Sequence, residues 1–195
     1  MAFSWIVLIS STYISIYYLL LYLEGRENKE SPEEEPRVTI AVPAYDEGKH
    51  IYKSLETIIE LDYPLKKLDI IVIDDASKDN TTEEAKRFVR DHPKTNVTII
   101  RHKKNKGKAA ALNTALRLVK TPYFVTMDSD SFVNKNVLRE LLKYAKVNSV
   151  VTPAIIPETR SKILQRLQAM EYIYGNYLAN ILGGFDAQMV APGPF

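Results

Sequence analysis

Residues 68–80 read LDIIVIDDASKDN, an apolar run rich in β-branched side chains that breaks abruptly at Asp74 and Asp75. A half-exposed strand alternates apolar and polar residues, whereas a strand covered on both faces reads as one continuous apolar block. The block therefore predicts an interior strand of a parallel sheet, with polar chemistry at its carboxyl end. Working outward, VTIAVP (38–43), VTII (97–100), YFVTMD (123–128) and SVVTP (149–153) give four more strand candidates. Helical stripes lie between them: Ile51, Leu55 and Ile58, then a helix opened by an Asn80–Glu83 capping box, then Ala109, Leu112, Leu116 and Val119. A further helix is expected over 135–146. Strands alternating with helices across short joints imply an α/β fold, a mostly parallel sheet with helices on both faces.

In such sheets ligands sit outside the carboxyl ends of the strands. Three of those ends are polar: Pro43-Ala44-Tyr45-Asp46-Glu47, Asp74-Asp75-Ala76-Ser77-Lys78-Asp79 and Asp128-Ser129-Asp130-Ser131. Asp and Ser also cap helices and make turns, so one such end alone would say little. Three on one edge crowd carboxylates that repel one another unless a cation lies between them. Asp128 and Asp130 offer hard oxygen ligands suited to Mg²⁺ or Mn²⁺, ions that keep positions open for phosphate. The basic loop RHKKNKGK (101–108) leads into a helix start, where backbone N–H groups already favour anions. Lys108 is its best phosphate candidate, although the loop lacks the second half of a P-loop pattern. His50, His92 and His102 share no ligand spacing and read as surface residues.

With 195 residues the chain has room for one ordinary domain and an appendage. A net charge of +2 gives no case for nucleic acid as a partner. The absence of cysteine removes disulfides, thiol catalysis and thiolate metal sites, and fits a reducing compartment. Ala2 to Leu23 carries no charged side chain, and a helix of about 20 apolar residues crosses a bilayer core. Trp5 at one end and Tyr17, Tyr18 and Tyr22 at the other resemble interfacial belts, while five Ser and Thr dilute the apolar character. Signal-peptide features are missing. Arg26, Lys29 and Arg37 follow the segment, so the positive-inside rule places the remainder in the cytoplasm, beneath the cell membrane. EGRENKESPEEEP (24–36) reads as an acidic linker. The expected division is a transmembrane helix at 1–23, the linker at 24–36 and one domain over 37–195.

The motifs Val42-Pro43-Ala44-Tyr45-Asp46-Glu47, Asp74 to Thr81, Asn105-Lys106-Gly107-Lys108-Ala109-Ala110-Ala111-Leu112-Asn113 and Asp128-Ser129-Asp130 resemble, in this order, the inverting glycosyltransferases of family 2 with their A-type fold. Asp46 stands where that family more often has Asn. Gln168-Ala169-Met170-Glu171-Tyr172 and Gly193-Pro194-Phe195 look like stretches of its processive members, the synthases of chitin, hyaluronan, cellulose and poly-N-acetylglucosamine type. Ile163, Leu167, Met170, Tyr174, Tyr177 and Ile181 form one stripe, which suits either a helix on the membrane surface or one packed on its own domain.

The resemblance implies a nucleotide-sugar site built from Pro43, Ala44, Tyr45, Glu47, Asp74, Asp75, Lys108, Asp128, Ser129 and Asp130. Tyr45 and Asp74 would face the base, with Asp75 and Lys108 nearby. Asp128 would help hold the ribose and diphosphate, and Asp130, with Asp128, would bind Mn²⁺ or Mg²⁺. The donor would be a UDP-sugar and the acceptor a polysaccharide, extended with inversion. The family's general base has no match here. Asp186, the one acid after Glu171, precedes Gly193-Pro194-Phe195, so the base is expected beyond Phe195 and the chain as given is expected to be inactive in transfer. Competing readings are a non-processive transferase to a lipid acceptor and a non-catalytic nucleotide-sugar-binding module. A nucleotidyltransferase is disfavoured, because no glycine-rich loop follows the first strand.

Overall fold

The computed structural model describes residues 2–24, 34–145, 149–153 and 163–183. The chain forms two compact units, one of residues 30–151 and one of residues 1–29 with 152–195.

In the first unit β1 (Val38–Ala44) leads to α2 (Ile51–Ile59), β2 (Leu68–Asp74), α3 (Thr81–Asp91), β3 (Asn96–Arg101), α4 (Lys108–Leu116), β4 (Tyr123–Thr126) and α5 (Val137–Tyr144); α1 (Ala2–Glu24) belongs to the other unit. The strands are parallel in the order β3-β2-β1-β4. β1 and β2 lie in the middle and pair from Val38–Leu68 to Ala44–Asp74. They are the buried strands, as their unbroken apolar runs require. β3 lies on one edge and is half-exposed, which explains its alternation of Thr98 with Val97 and Ile99. After three strands laid down in one direction, the chain returns to the other side of β1 as β4. The order therefore reverses between β1 and β4, and the carboxyl ends of these two strands flank a crevice.

The period of two along each strand divides the core into two layers of unequal depth. Ile40, Val42, Ile70 and Val72 face Ile51, Leu55 and Ile58 of α2, Phe88 of α3, and Leu138 and Leu142 of α5. Ala41, Ile71 and Ile73 face only Ala111 and Ala115 of α4, with Leu112 and Phe124 packed at the margin.

Four sequence expectations change here. The α4 stripe holds only at Leu112, which packs at the margin of the core: Ala109 and Leu116 are exposed, and the buried positions are Ala111 and Ala115. Methyl groups let this helix lie close to the strands, so its buried face does not stand out by hydrophobicity. No Asn80–Glu83 capping box forms. The acceptor at the start of α3 is Asp79, whose carboxylate takes the Thr81 N–H at 3.0 Å. Residues 149–153 are not a strand; Val150 is 83% exposed, and without a pairing partner β-propensity alone does not make one. The expected linker is tied down at its end. Arg139 reaches the Glu35 carboxylate at 2.5 Å, and the Tyr63 hydroxyl donates to the Pro36 carbonyl. Residues 25–33 lie outside the described part.

In the other unit α1 is a 23-residue helix whose described side chains, Ser4 to Leu20, are all exposed. Among the described residues no helix is long and apolar enough to cross a membrane. α6 (Ile163–Gly183) is the expected second helix, and it touches α1. Its stripe is not packed inward: Ile163, Leu167, Met170 and Tyr174 are exposed, and Ala169 is the buried position. The side chains of Tyr177 and Ile181 are outside the described residues.

The inner face of α4 is testable. Ala111→Leu forces extra volume against Ala41 and Ile71 and is expected to cost about 1–3 kcal/mol. Ala109→Leu, on the exposed side, is expected to stay within about 0.5 kcal/mol. Urea midpoints at unchanged slope measure both.

Candidate active site

The loops that follow β1 and β2 hold each other by hydrogen bonds from backbone N–H groups. Asp75 N–H donates to the Ala44 carbonyl at 2.9 Å and extends the ladder by one step. Asp46 N–H then donates to Ser77 Oγ (3.0 Å), Glu47 N–H to Thr81 Oγ1 (2.8 Å) and Gly48 N–H to Asp79 Oδ2 (2.8 Å). In return Lys78 N–H donates to Asp46 Oδ1 at 2.6 Å. Asp46 and Ala76 make the two sharp turns in left-handed backbone, with φ of 56° and 64°. Asp and Asn both tolerate that region and both present an acceptor oxygen, so Asp46 meets a demand that either residue could. A Cβ on Gly48 would sit 2.0 Å from Asn80 Oδ1, so a larger residue here would push that side chain aside.

The two aspartates ending β2 have different surroundings. Asp74 is fully buried; Oδ1 accepts the Ser77 N–H at 2.7 Å, Oδ2 accepts the Thr82 hydroxyl, and Arg101 lies 3.5 Å away. Asp75 turns toward the crevice. It accepts the Gly107 N–H at 2.6 Å and the Lys106 N–H at 3.0 Å, and it pairs with His102 Nδ1 at 2.6 Å. Burial alone would raise its pKa, but the hydrogen bonds from His102, Lys106 and Gly107 hold the carboxyl below the usual range. Asp79 behaves alike: desolvation pushes upward, and the bonds from Thr81 and Gly48 outweigh it.

Gly107, with φ of 85°, is the residue at which the basic loop turns into α4. Lys108 begins the helix and reaches across to Asp128 Oδ1 at 2.7 Å. Asp128 follows β4, where Met127 N–H continues the ladder to the Ala41 carbonyl at 3.0 Å. Ser129 is buried, while Asp130 is exposed.

These ends enclose a cleft of about 330 Å³ lined by Pro43, Ala44, Tyr45, Glu47, Asp75, Asn105, Gly107, Lys108, Ala111, Asp128, Ser129 and Asp130. Nine of the ten residues expected for the site line it. The exception is Asp74, whose oxygens are turned into the protein and leave it a structural place under the loop. Sequence reasoning left out Asn105, Gly107 and Ala111 as site residues. Ala111 shares the face of α4 that begins at Lys108, so helical spacing would have found it. His102 was misread as a surface residue: 7% of its side chain is exposed. The register pairs Asp74 with Arg101, so the next step along places His102 beside Asp75. His92 is also more enclosed than expected, its ring 4.6 Å from that of Phe88. Asp186 lies outside the described residues.

Asp128 and Asp130 give two carboxylates to the cleft, and among the described residues no cluster of three His, Cys, Asp or Glu could hold a metal ion. Two hard oxygen donors beside an open cleft fit an ion that completes its shell from a bound phosphate.

Residues 39–192 match the model of glycosyl transferase family 2, and the chain belongs to that family. It is similar to a poly-beta-1,6-N-acetyl-D-glucosamine synthase of Staphylococcus epidermidis, 29% identical over 140 residues, covering 69% of this chain and 32% of the relative. It is also similar to the glycosyltransferase GlyG of Streptococcus pneumoniae serotype 4, 32% identical over 105 residues, covering 53% and 33%. The chain thus spans about a third of the length of these curated relatives. Among solved structures, the mannosyltransferase PcManGT of Pyrobaculum calidifontis, in complex with GDP-Man and Mn²⁺, superposes with a TM-score of 0.59 at 30% identity, covering 71% of this chain and 42% of that one.

The lowered pKa values of Asp75 and Asp79 fix a sign. A carboxyl that titrates lower when folded stabilises the fold above its ordinary pKa, and loses that contribution as pH falls through the folded value. Stability is expected to be level near neutrality and to decline below about pH 4. Asp79→Ala is expected to lower stability at pH 7 by about 1 kcal/mol and to flatten the acid decline. Urea titrations at pH 7 and pH 3.5 check both.

Proposed function

We propose that this cleft binds a nucleoside-diphosphate sugar together with a divalent cation. The chain is then the donor-binding part of a membrane-associated synthase that extends a polysaccharide with inversion. The observation that carries the reading is the meeting of Lys108, the start of α4, Asp128 and Asp130 at the crevice between β1 and β4. Cationic and N–H donors on one side and carboxylates on the other suit a diphosphate and its counter-ion.

In this reading Tyr45 and Asp75 stand at the base and ribose, against the wall made by Pro43 and Ala44. Lys108 and the first N–H groups of α4 take the diphosphate. Asp130, with Asp128, holds Mn²⁺ or Mg²⁺, which supplies Lewis-acid neutralisation of charge on the departing diphosphate. Lys108 is released from Asp128 when phosphate is bound, and its ammonium then adds to that neutralisation. Asp74 has no part in binding beyond supporting the loop. The GDP-Man and Mn²⁺ of PcManGT support a nucleoside-diphosphate sugar with a metal. The polymer named for the staphylococcal relative supports a growing glycan as acceptor. Uridine remains the base implied by the motif resemblance.

Membrane attachment belongs to the same proposal. α1 has no charged residue from Ala2 to Leu23 and presents Trp5, Ile6, Leu8, Ile9 and Leu20 outward, and α6 beside it exposes Leu167 and Met170. The basic residues following α1 favour a cytoplasmic face for the domain.

Calorimetric titration with UDP and GDP, each with Mn²⁺ or with chelator, tests the site. Binding is expected to be at least about tenfold tighter with metal, and Asp130→Ala is expected to erase the difference while the melting temperature holds. Equal binding in chelator by the unaltered chain would overturn the metal assignment. For the anchor, the chain is expected to sediment with membranes and to be released when residues 1–24 are removed. Recovery of the unaltered chain in the supernatant would reject it.

A further inference from the structure

We infer that His102 is a positioning residue of the nucleotide site, holding the Asp75 carboxylate and the 105–108 loop in the arrangement that presents Lys108; this rests on the donor-binding reading above. The loop is closed around a single carboxylate. It leaves β3 at His102, whose Nδ1 lies 2.6 Å from Asp75 Oδ1, and returns through the Lys106 and Gly107 N–H groups to the same carboxylate. Lys103 to Gly107 are exposed, so no packing holds them; the acceptor at the centre does. Asp75 is 3% exposed and depends on those donors, because a buried carboxylate short of a partner is costly.

The other ring nitrogen ties this ring of bonds to the helix. His102 Nε2 lies 2.9 Å from Thr114 Oγ1 on α4, and the Thr114 hydroxyl is 2.9 Å from the Ala110 carbonyl. When the imidazole is cationic, Nε2–H donates to Thr114 and the hydroxyl donates to Ala110. When it is neutral, the hydroxyl turns and donates to Nε2. In both states Nδ1–H points at Asp75, so the imidazole spans from the end of β2 to α4 whatever its charge. The charged and polar groups around it are Asp75, the Asp74 carbonyl that accepts its own backbone N–H at 2.8 Å, and Thr114. α4 meets the sheet through alanine methyls, and this span adds a polar tie at Thr114, while the Lys106 and Gly107 N–H groups tie the residues just before the helix to the same carboxylate. Lys108 is the first residue of that helix.

The test uses His102→Ala, His102→Asn and Thr114→Val in the full chain. Asn places an amide N–H where Nδ1–H stood, so it restores the bond to Asp75 without the reach to Thr114. Affinity for the nucleoside diphosphate with Mn²⁺ is read beside amide hydrogen exchange at Lys106 and Gly107. His102→Ala is expected to weaken binding about tenfold or more and to speed exchange at both amides, with β1 and β2 unchanged. His102→Asn is expected to return both readouts most of the way. A residue that merely filled space would not be rescued by Asn. Unchanged affinity in His102→Ala, or no recovery in His102→Asn, overturns the inference. Should His102→Ala fail to fold, Thr114→Val decides: a loss of about threefold is expected, and unchanged affinity and exchange overturn it. If the unaltered chain binds no nucleoside diphosphate, the functional reading fails, and the exchange rates at Lys106 and Gly107 still decide the role of His102.

Discussion

A carboxylate shut away at the end of a parallel strand has to be given hydrogen-bond donors, and this requirement organises the site. Asp74 and Asp75 take theirs from different segments, Ser77 and Thr82 for the first and His102, Lys106 and Gly107 for the second, and the exposed Asp79 farther along the loop accepts from Gly48 and Thr81. Each acid thereby fastens a loop that has no apolar core of its own. Remove the acceptors and the loops after β1, β2 and β3 lose the bonds that shape the cleft wall. The acids thus differ in use: Asp74 and Asp79 are spent on holding the loops, Asp75 holds a loop and also lines the cleft, and Asp128 and Asp130 line the opening.

The sheet supplies the other half of the arrangement. Because the strand order reverses at β1, two strands that are neighbours in space send their chains to opposite sides, leaving the carboxyl ends uncovered between them. The fold thus brings residues about 80 positions apart, the Tyr45 loop and the Asp128 turn, to one rim. The third wall comes from α4, whose start faces the same opening.

Much of this was legible in the sequence because burial on both faces leaves a plain mark. β2 was read to the residue, and β1, β3 and β4 were each found within two residues at either end. The cleft residues were legible because strand ends are where an α/β sheet keeps its polar groups. What escaped was set by contacts between segments distant in sequence. Asp74 and Asp75 are chemically identical neighbours, and only the pleat decides which one turns inward. His102 looks solvated among lysines until the β2–β3 register sets it against Asp75. The inner face of α4 carries alanine, so a hydrophobicity stripe drawn through leucines selects the wrong side. Val150 and Val151 have strand-forming side chains but pair with no strand among the described residues.

The unequal depth of the two core layers bears on motion. α2 and α3 are seated by Ile51, Leu55, Ile58 and Phe88, all fully buried, whereas α4 is seated by the methyl groups of Ala111 and Ala115 with Leu112 half-buried beside them. Apolar stabilisation scales with the area removed from water, so detaching α4 costs far less than detaching α2. Of α2, α3 and α4, the helix that carries Lys108 is therefore the one with the least buried apolar area to lose on local opening. A ligand bridging the start of α4 to the Asp128 turn would close that opening. It would act on this domain as a clasp, holding α4 down on the two central strands at their carboxyl ends.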